Sequence, residues 1–92
     1  MITKNGIKKL FKDSGVKCEF GTYGEFLGYK NVLSVTIIDC EGFDEDWEPI
    51  YVDYDIDNVI EVLNQQCEKK IDDNHYLFKD FSVIIDYASE DI

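Results

Sequence analysis

From Asn31 to Glu68 the chain carries no basic residue. Within that span, residues 39–57 read DCEGFDEDWEPIYVDYDID and hold nine carboxylates: Asp39, Glu41, Asp44, Glu45, Asp46, Glu48, Asp53, Asp55 and Asp57. Like charges at this density repel one another, and acidic segments stay disordered unless apolar side chains give them something to bury. Here Phe43, Trp47, Tyr51 and Tyr54 are threaded between the acids. A fold that accepts this stretch must hold the carboxylates on its surface and turn other residues inward.

The remainder of the composition supplies a core. Hydrophobic residues make up 45% of 92 residues and aromatics 14%. That is enough for one domain, residues 1–92, burying roughly 60–65% of its unfolded surface. The net charge is −11 and unevenly placed. Residues 1–38 hold six Lys and three acids; residues 39–92 hold three Lys and 17 acids; there is no Arg. Direct binding to nucleic acid or to an anionic membrane needs the opposite sign, so the expected partner is a basic protein. Cys18, Cys40 and Cys67 are odd in number, far apart and without CxxC spacing, which argues against a disulfide framework. A reducing cytoplasm is expected. No signal peptide is expected, and no apolar run approaches the roughly 18–20 residues of a membrane span.

Residues 3–14 predict a helix. Thr3 is its N-cap, and Ile2 and Ile7 have the spacing of a hydrophobic staple. Ile7, Leu10 and Phe11 form the apolar stripe, and Lys4, Lys8 and Lys12 lie on another face. Gly15 suits a left-handed C′ position, with Val16 reaching back to Phe11. Val16, Cys18 and Phe20 alternate as a half-buried strand. Gly21, Gly24 and Gly28 predict turns, a bulge or a tight hairpin around residues 23–27. Residues 32–40 form a second strand and residues 41–48 a loop with Gly42 as its turn residue. A third strand follows over residues 50–56, with Ile50, Val52, Tyr54 and Ile56 inward and Tyr51, Asp53 and Asp55 outward. Residues 57–71 predict a second helix, N-capped by Asp57. With Ile56 just before it, it has a core stripe of Ile56, Val59, Ile60, Leu63, Cys67 and Ile71, and Lys69 and Lys70 at its C-terminus. Residues 71–75 read as a turn that leaves His75 solvated. Residues 76–87 form a last strand or a hairpin broken near Lys79 and Asp80, and SEDI a frayed acidic tail. The order α-β-β-β-α-β implies an α+β domain: a small antiparallel sheet with two helices on one face.

No residue pattern carries catalysis. In the calcium-loop register starting at Asp53, Asn58 stands where Gly is needed and Asn64 where Glu is needed; in the register starting at Asp44, Pro49 takes the Gly position. Cys18, Cys40, Cys67 and His75 match no zinc spacing. His75 is the one histidine and has no local nucleophile, and paired acids such as Asp44 and Asp46 read as solvated. No enzyme activity, metal or cofactor is expected.

The acidic stretch has a more specific reading. On an extended strand, residues of one face stand about 6.8 Å apart. Asp53 and Asp55 project that way, Asp57 and Glu61 continue onto the helix, and Asp44, Asp46 and Glu48 precede them. Such an array can imitate nucleic-acid phosphates. Trp47 and Tyr51 are the expected anchors, Tyr54 is expected in the core, and Trp47 belongs either to core or to interface.

Residues 37–65, IIDCEGFDEDWEPIYVDYDIDNVIEVLNQ, resemble the acid- and tyrosine-rich strand–helix segments of ArdA-type antirestriction proteins. The chain as a whole is similar to the small acidic α+β inhibitors of phages and mobile elements, the anti-CRISPR proteins among them. It is too short for the elongated ArdA form, whose fold and oligomer do not carry over. The resemblance implies a non-enzymatic inhibitor, monomeric or a small homo-oligomer. It would occupy the basic DNA site of a CRISPR effector or restriction nuclease through Asp44, Asp46, Trp47, Glu48, Tyr51, Asp53, Asp55, Asp57 and Glu61. An immunity protein against a basic toxin nuclease would share this surface logic.

Overall fold

The computed structural model describes residues 2–88; the acidic tail at residues 89–92 lies outside them. The elements run α1 (Lys4–Asp13), β1 (Cys18–Phe26), β2 (Tyr29–Ile37), β3 (Cys40–Phe43), β4 (Pro49–Tyr51), α2 (Asp57–Gln66), β5 (Lys69–Asp72), β6 (His75–Leu77) and β7 (Ser82–Tyr87). This is an α+β fold with two helices, as the sequence implies. Five strands form one sheet in the order β1-β2-β7-β6-β5, and β3-β4 stand apart as a two-stranded hairpin.

Helix α1 follows local rules closely. Thr3 Oγ1 accepts from the Gly6 amide at 3.1 Å. At the other end Gly15, with φ +74, donates to the Lys12 carbonyl, and Val16 donates to Phe11. Those two bonds are the Schellman pair, and Phe11 and Val16, the residues of its accompanying apolar contact, are both buried in the core cluster. The core joins Ile7 and Phe11 of α1 and Val59 and Leu63 of α2 to Leu33, Val35 and Ile37 of β2 and to Val83 and Ile85 of β7. Both helices therefore pack on one face of the sheet.

Several expectations need correction. The sheet is mixed: β2 pairs with β7 in parallel, while the other described seams are antiparallel. The long excursion between β2 and β7 makes a parallel pairing possible, since parallel neighbours need a crossover. Gly21 and Gly24 lie inside β1, not in turns. The turn is Leu27–Gly28, both at positive φ, as a two-residue hairpin with right-handed strand twist requires. The second strand ends at Ile37, and residues 40–43 pair with β4 in place of forming a loop. Gly42 sits beside the bulge there and not in the turn. Residues 52–56 keep the expected alternation, with Val52, Tyr54 and Ile56 half-buried and Asp53 and Asp55 exposed. Among the described residues they have no ladder partner, so the third strand shrinks to residues 49–51. Ile50, expected inside, is exposed.

Helix α2 ends at Gln66, because Cys67 turns extended (φ −72, ψ 152). Residues 69–72 form edge strand β5 against β6, so Lys69 and Lys70 do not serve the helix end. Ile71 is half-buried on that strand, a placement that helical and strand spacing satisfy equally. Ile56 takes the N-cap position without a side-chain bond. Asp57 is one residue inside the helix, and its amide bonds the carboxylate of Asp55 at 3.1 Å. The break expected near Lys79 and Asp80 is present: Phe78 and Phe81 close the β6–β7 turn with a 2.8 Å backbone bond.

Candidate interaction surface

The expected site residues fall into two groups. The first lies at the end of the β3–β4 hairpin. Asp44 organises the turn: its Oδ1 accepts the amides of Asp46 at 2.9 Å and Glu48 at 3.0 Å. Its own amide donates to the Glu48 carbonyl, and its carbonyl accepts from the Trp47 amide. Asp44 is therefore a structural residue as well as a charge, a role that depends on turn geometry. Glu45, Asp46 and Glu48 are exposed around it. The base of the hairpin is closed by Val52 donating to Asp39 at 2.7 Å. No hairpin residue belongs to the core.

Trp47 belongs to the surface: it is 82% exposed, with φ +62. Phe43, 53% exposed, meets it at 6.3 Å between ring centroids. Tyr51 is exposed with them, as expected. Tyr54 is only half-buried, packed against the edge of the core. A bulky residue in the left-handed region is an outlier costing about 1–2 kcal/mol. Trp47→Gly should consequently be about 1 kcal/mol more stable than Trp47→Ala, the reverse of the usual order for these residues. Exchange rates of the Asp46 and Glu48 amides measure this locally; a more protected Ala variant would refute the strain.

The second group lies at the start of α2. Asp53, Asp55 and Asp57 line a shallow concavity of about 420 Å³ with Tyr54, Ile56 and Tyr87. Glu61 follows one turn into the helix, exposed, accepting from Gln65 Nε2 at 3.4 Å. Among the described residues the ion pair present is Lys70–Asp73, at 3.6 Å, and it includes no acid of either group. No set of three His, Cys, Asp or Glu among the described residues is placed to hold a metal ion.

His75 departs from its expected place in a solvated turn. It opens β6, is 3% exposed and meets the Tyr29 ring edge-on at 4.9 Å. Its Nε2 has no hydrogen-bond partner among the described residues. Burial pushes its pKa down from 6.5, against the opposing pull of Asp72. A histidine whose folded pKa lies below its unfolded one stabilises the fold above the unfolded pKa. It loses that contribution as pH falls from about 6.5 toward the folded value. Acidification also relieves the repulsion of a −11 chain, which acts the other way. The isolating comparison is His75→Phe. Between pH 7.5 and 5.5 the parent should lose stability relative to that variant in urea titrations, and parallel pH profiles would refute a buried neutral His75.

Cys18 and Cys67 lie half-buried against the core, as their apolar stripes imply, and Cys40 is half-buried in β3. No helix among the described residues is long and apolar enough to cross a membrane. No family model, curated protein or solved structure matches the chain.

Proposed function

We propose that this protein is a non-enzymatic inhibitor that occupies the basic nucleic-acid site of a host defence nuclease, as an anti-CRISPR protein does. One observation carries the reading. The carboxylates of Asp46, Glu48, Asp53, Asp57 and Glu61 stand exposed, in no ion pair among the described residues, on a stretch without a single basic residue. Leaving so much like charge uncompensated disfavours folding and serves a partner of opposite sign. Asp44 and Asp55 add charge while also holding the backbone of each group.

The experiment is affinity capture from a host lysate, identification of the partner by mass spectrometry, and a cleavage assay of that purified partner with the chain titrated in. Stoichiometric loss of DNA cleavage by a CRISPR effector or restriction nuclease is the expected result. Capture of a cognate toxin nuclease would replace this reading with an immunity protein. Turnover of a substrate by the chain itself would end it.

A further inference from the structure

We infer that β1 is a dimerisation edge. A second copy of the chain adds its own β1 antiparallel across a twofold axis, joining the two five-stranded sheets into one. This goes beyond the proposed function and does not depend on it.

A sheet edge presents unpaired N–H and C=O groups, and proteins defend it with short strands, lysines, prolines or bulges. The two edges of this sheet differ in that respect. Edge strand β5 has four residues, exposed Lys69 and Lys70, and a register shift between Lys70 and Asp72. Edge strand β1 has nine residues, keeps one register with β2 from Cys18 to Tyr23, and contains neither Lys nor Pro. Residues 21–25 are all exposed, and among the described residues no strand pairs with its outer side. The Ile38 amide bonds the Lys17 carbonyl at 2.8 Å, so the backbone of Lys17 faces β2. By the alternation of an antiparallel ladder, Cys18, Phe20 and Thr22 turn their amides and carbonyls outward.

Charge selects both the occupant and the register. Centred on Gly21, the pairing sets the exposed Lys17 of each copy opposite the exposed Glu25 of the other. It also sets Phe20 opposite Thr22, so that their outward backbone groups meet, and leaves no side chain at the axis. Centred on Thr22, the pairing would set Glu19 against Glu25, like against like. In the first register β1 is its own complement. The β3–β4 hairpin leaves the sheet beyond Ile37, which pairs with Cys18. An antiparallel dimer therefore places the two acidic hairpins at opposite ends of the joined sheet. That limits repulsion between two chains of net charge −11 and leaves both hairpins open.

The test is sedimentation equilibrium of the full chain over a dilution series from about 1 mM to about 1 μM. The mass should rise with concentration from 10.7 kDa toward twice that. Amide exchange at Phe20 and Thr22 should slow as the dimer forms, while Gly21 and Tyr23, which already face β2, stay unchanged. Lys17→Glu sets acid against acid at both ends of the seam, and Glu25→Lys sets base against base. Each, with its fold checked by circular dichroism, should weaken its own homodimer roughly 10-fold or more. Mixed in equal amounts, the two variants should regain the parent affinity as a heterodimer, because every Glu at these positions then faces a Lys. Recovery on mixing is a result that damage to the fold of either variant would not give. A parent that stays at 10.7 kDa up to about 1 mM overturns the inference. So does a dimer that neither variant weakens, or a mixture that fails to regain affinity.

Discussion

Phe11→Ala should lower the free energy of unfolding by about 3–5 kcal/mol, out of a total of roughly 5–14 kcal/mol for a domain of this length. Phe11 is fully buried and serves three structures at once. It is the C3 residue of the helix end, accepting the Val16 amide at 3.2 Å. It is part of the core that joins α1 to β2 and β7. Its ring also meets Phe20 edge-on at 6.3 Å, which anchors edge strand β1 from the helix side. Truncation leaves the backbone bond to Val16 in place but removes the ring from the core and from Phe20, and a small domain has little spare apolar surface to close the gap. The measurement is urea unfolding followed by far-UV circular dichroism, because Trp47 is too exposed for its emission to report on the core. Lys12→Ala, one residue along on the exposed face, is the control and should shift stability by less than about 0.5 kcal/mol. A Phe11→Ala loss as small as the control's would show that α1 is not integral to the core.

Elements held by neighbouring residues were legible in the sequence, and those held by distant ones were not. Thr3, Gly15 and the stripe of Ile7 and Phe11 fixed α1 because capping and the left-handed C′ position are local requirements. Likewise the break at residues 78–81 followed from Lys79 and Asp80 interrupting two apolar runs. Strand β5 was hidden because Cys67 and Ile71 sit four apart, a spacing that serves a helix, while the pairing of Lys69 with Leu77 decides otherwise. His75 lies after Asp72, Asp73 and Asn74, which reads as solvent. Its burial comes from Tyr29, far away in sequence. In the candidate surface, the alternation of residues 52–56 was readable because sidedness is a local property. The missing ladder partner was not readable. Nor was the work of Asp44, since a carboxylate that caps a turn and one that faces a partner are the same letter in a sequence. That difference bears directly on which acids can be mutated without disturbing the fold.

Reversing three carboxylates, Asp46→Lys, Asp53→Lys and Glu61→Lys, should weaken binding to the captured partner roughly 100-fold. The three sample the hairpin turn, the segment before α2 and the helix itself. Among the described residues none of the three carboxylates holds a backbone amide as those of Asp44 and Asp55 do, and these two are left intact so that the turn and the entry to α2 keep their fastenings. An exposed ion pair contributes about 0.2–1 kcal/mol. A reversal replaces attraction with repulsion, so each site is worth about 0.4–2 kcal/mol, and three together about 1.2–6 kcal/mol, a range that spans the roughly 2.7 kcal/mol of a 100-fold change. The net charge falls in magnitude from −11 to −5, which slows steered encounter as well. The parent complex should weaken steeply with added salt, and the variant complex should respond less because fewer charges meet across the interface. Fold integrity is checked by the same urea titration, in which relief of like-charge repulsion should leave the variant at least as stable as the parent. Parent-like affinity in a folded variant would mean that the acids face solvent alone. The exposed rings of Phe43, Trp47 and Tyr51 would then be the whole of the binding surface, and the partner need not be basic.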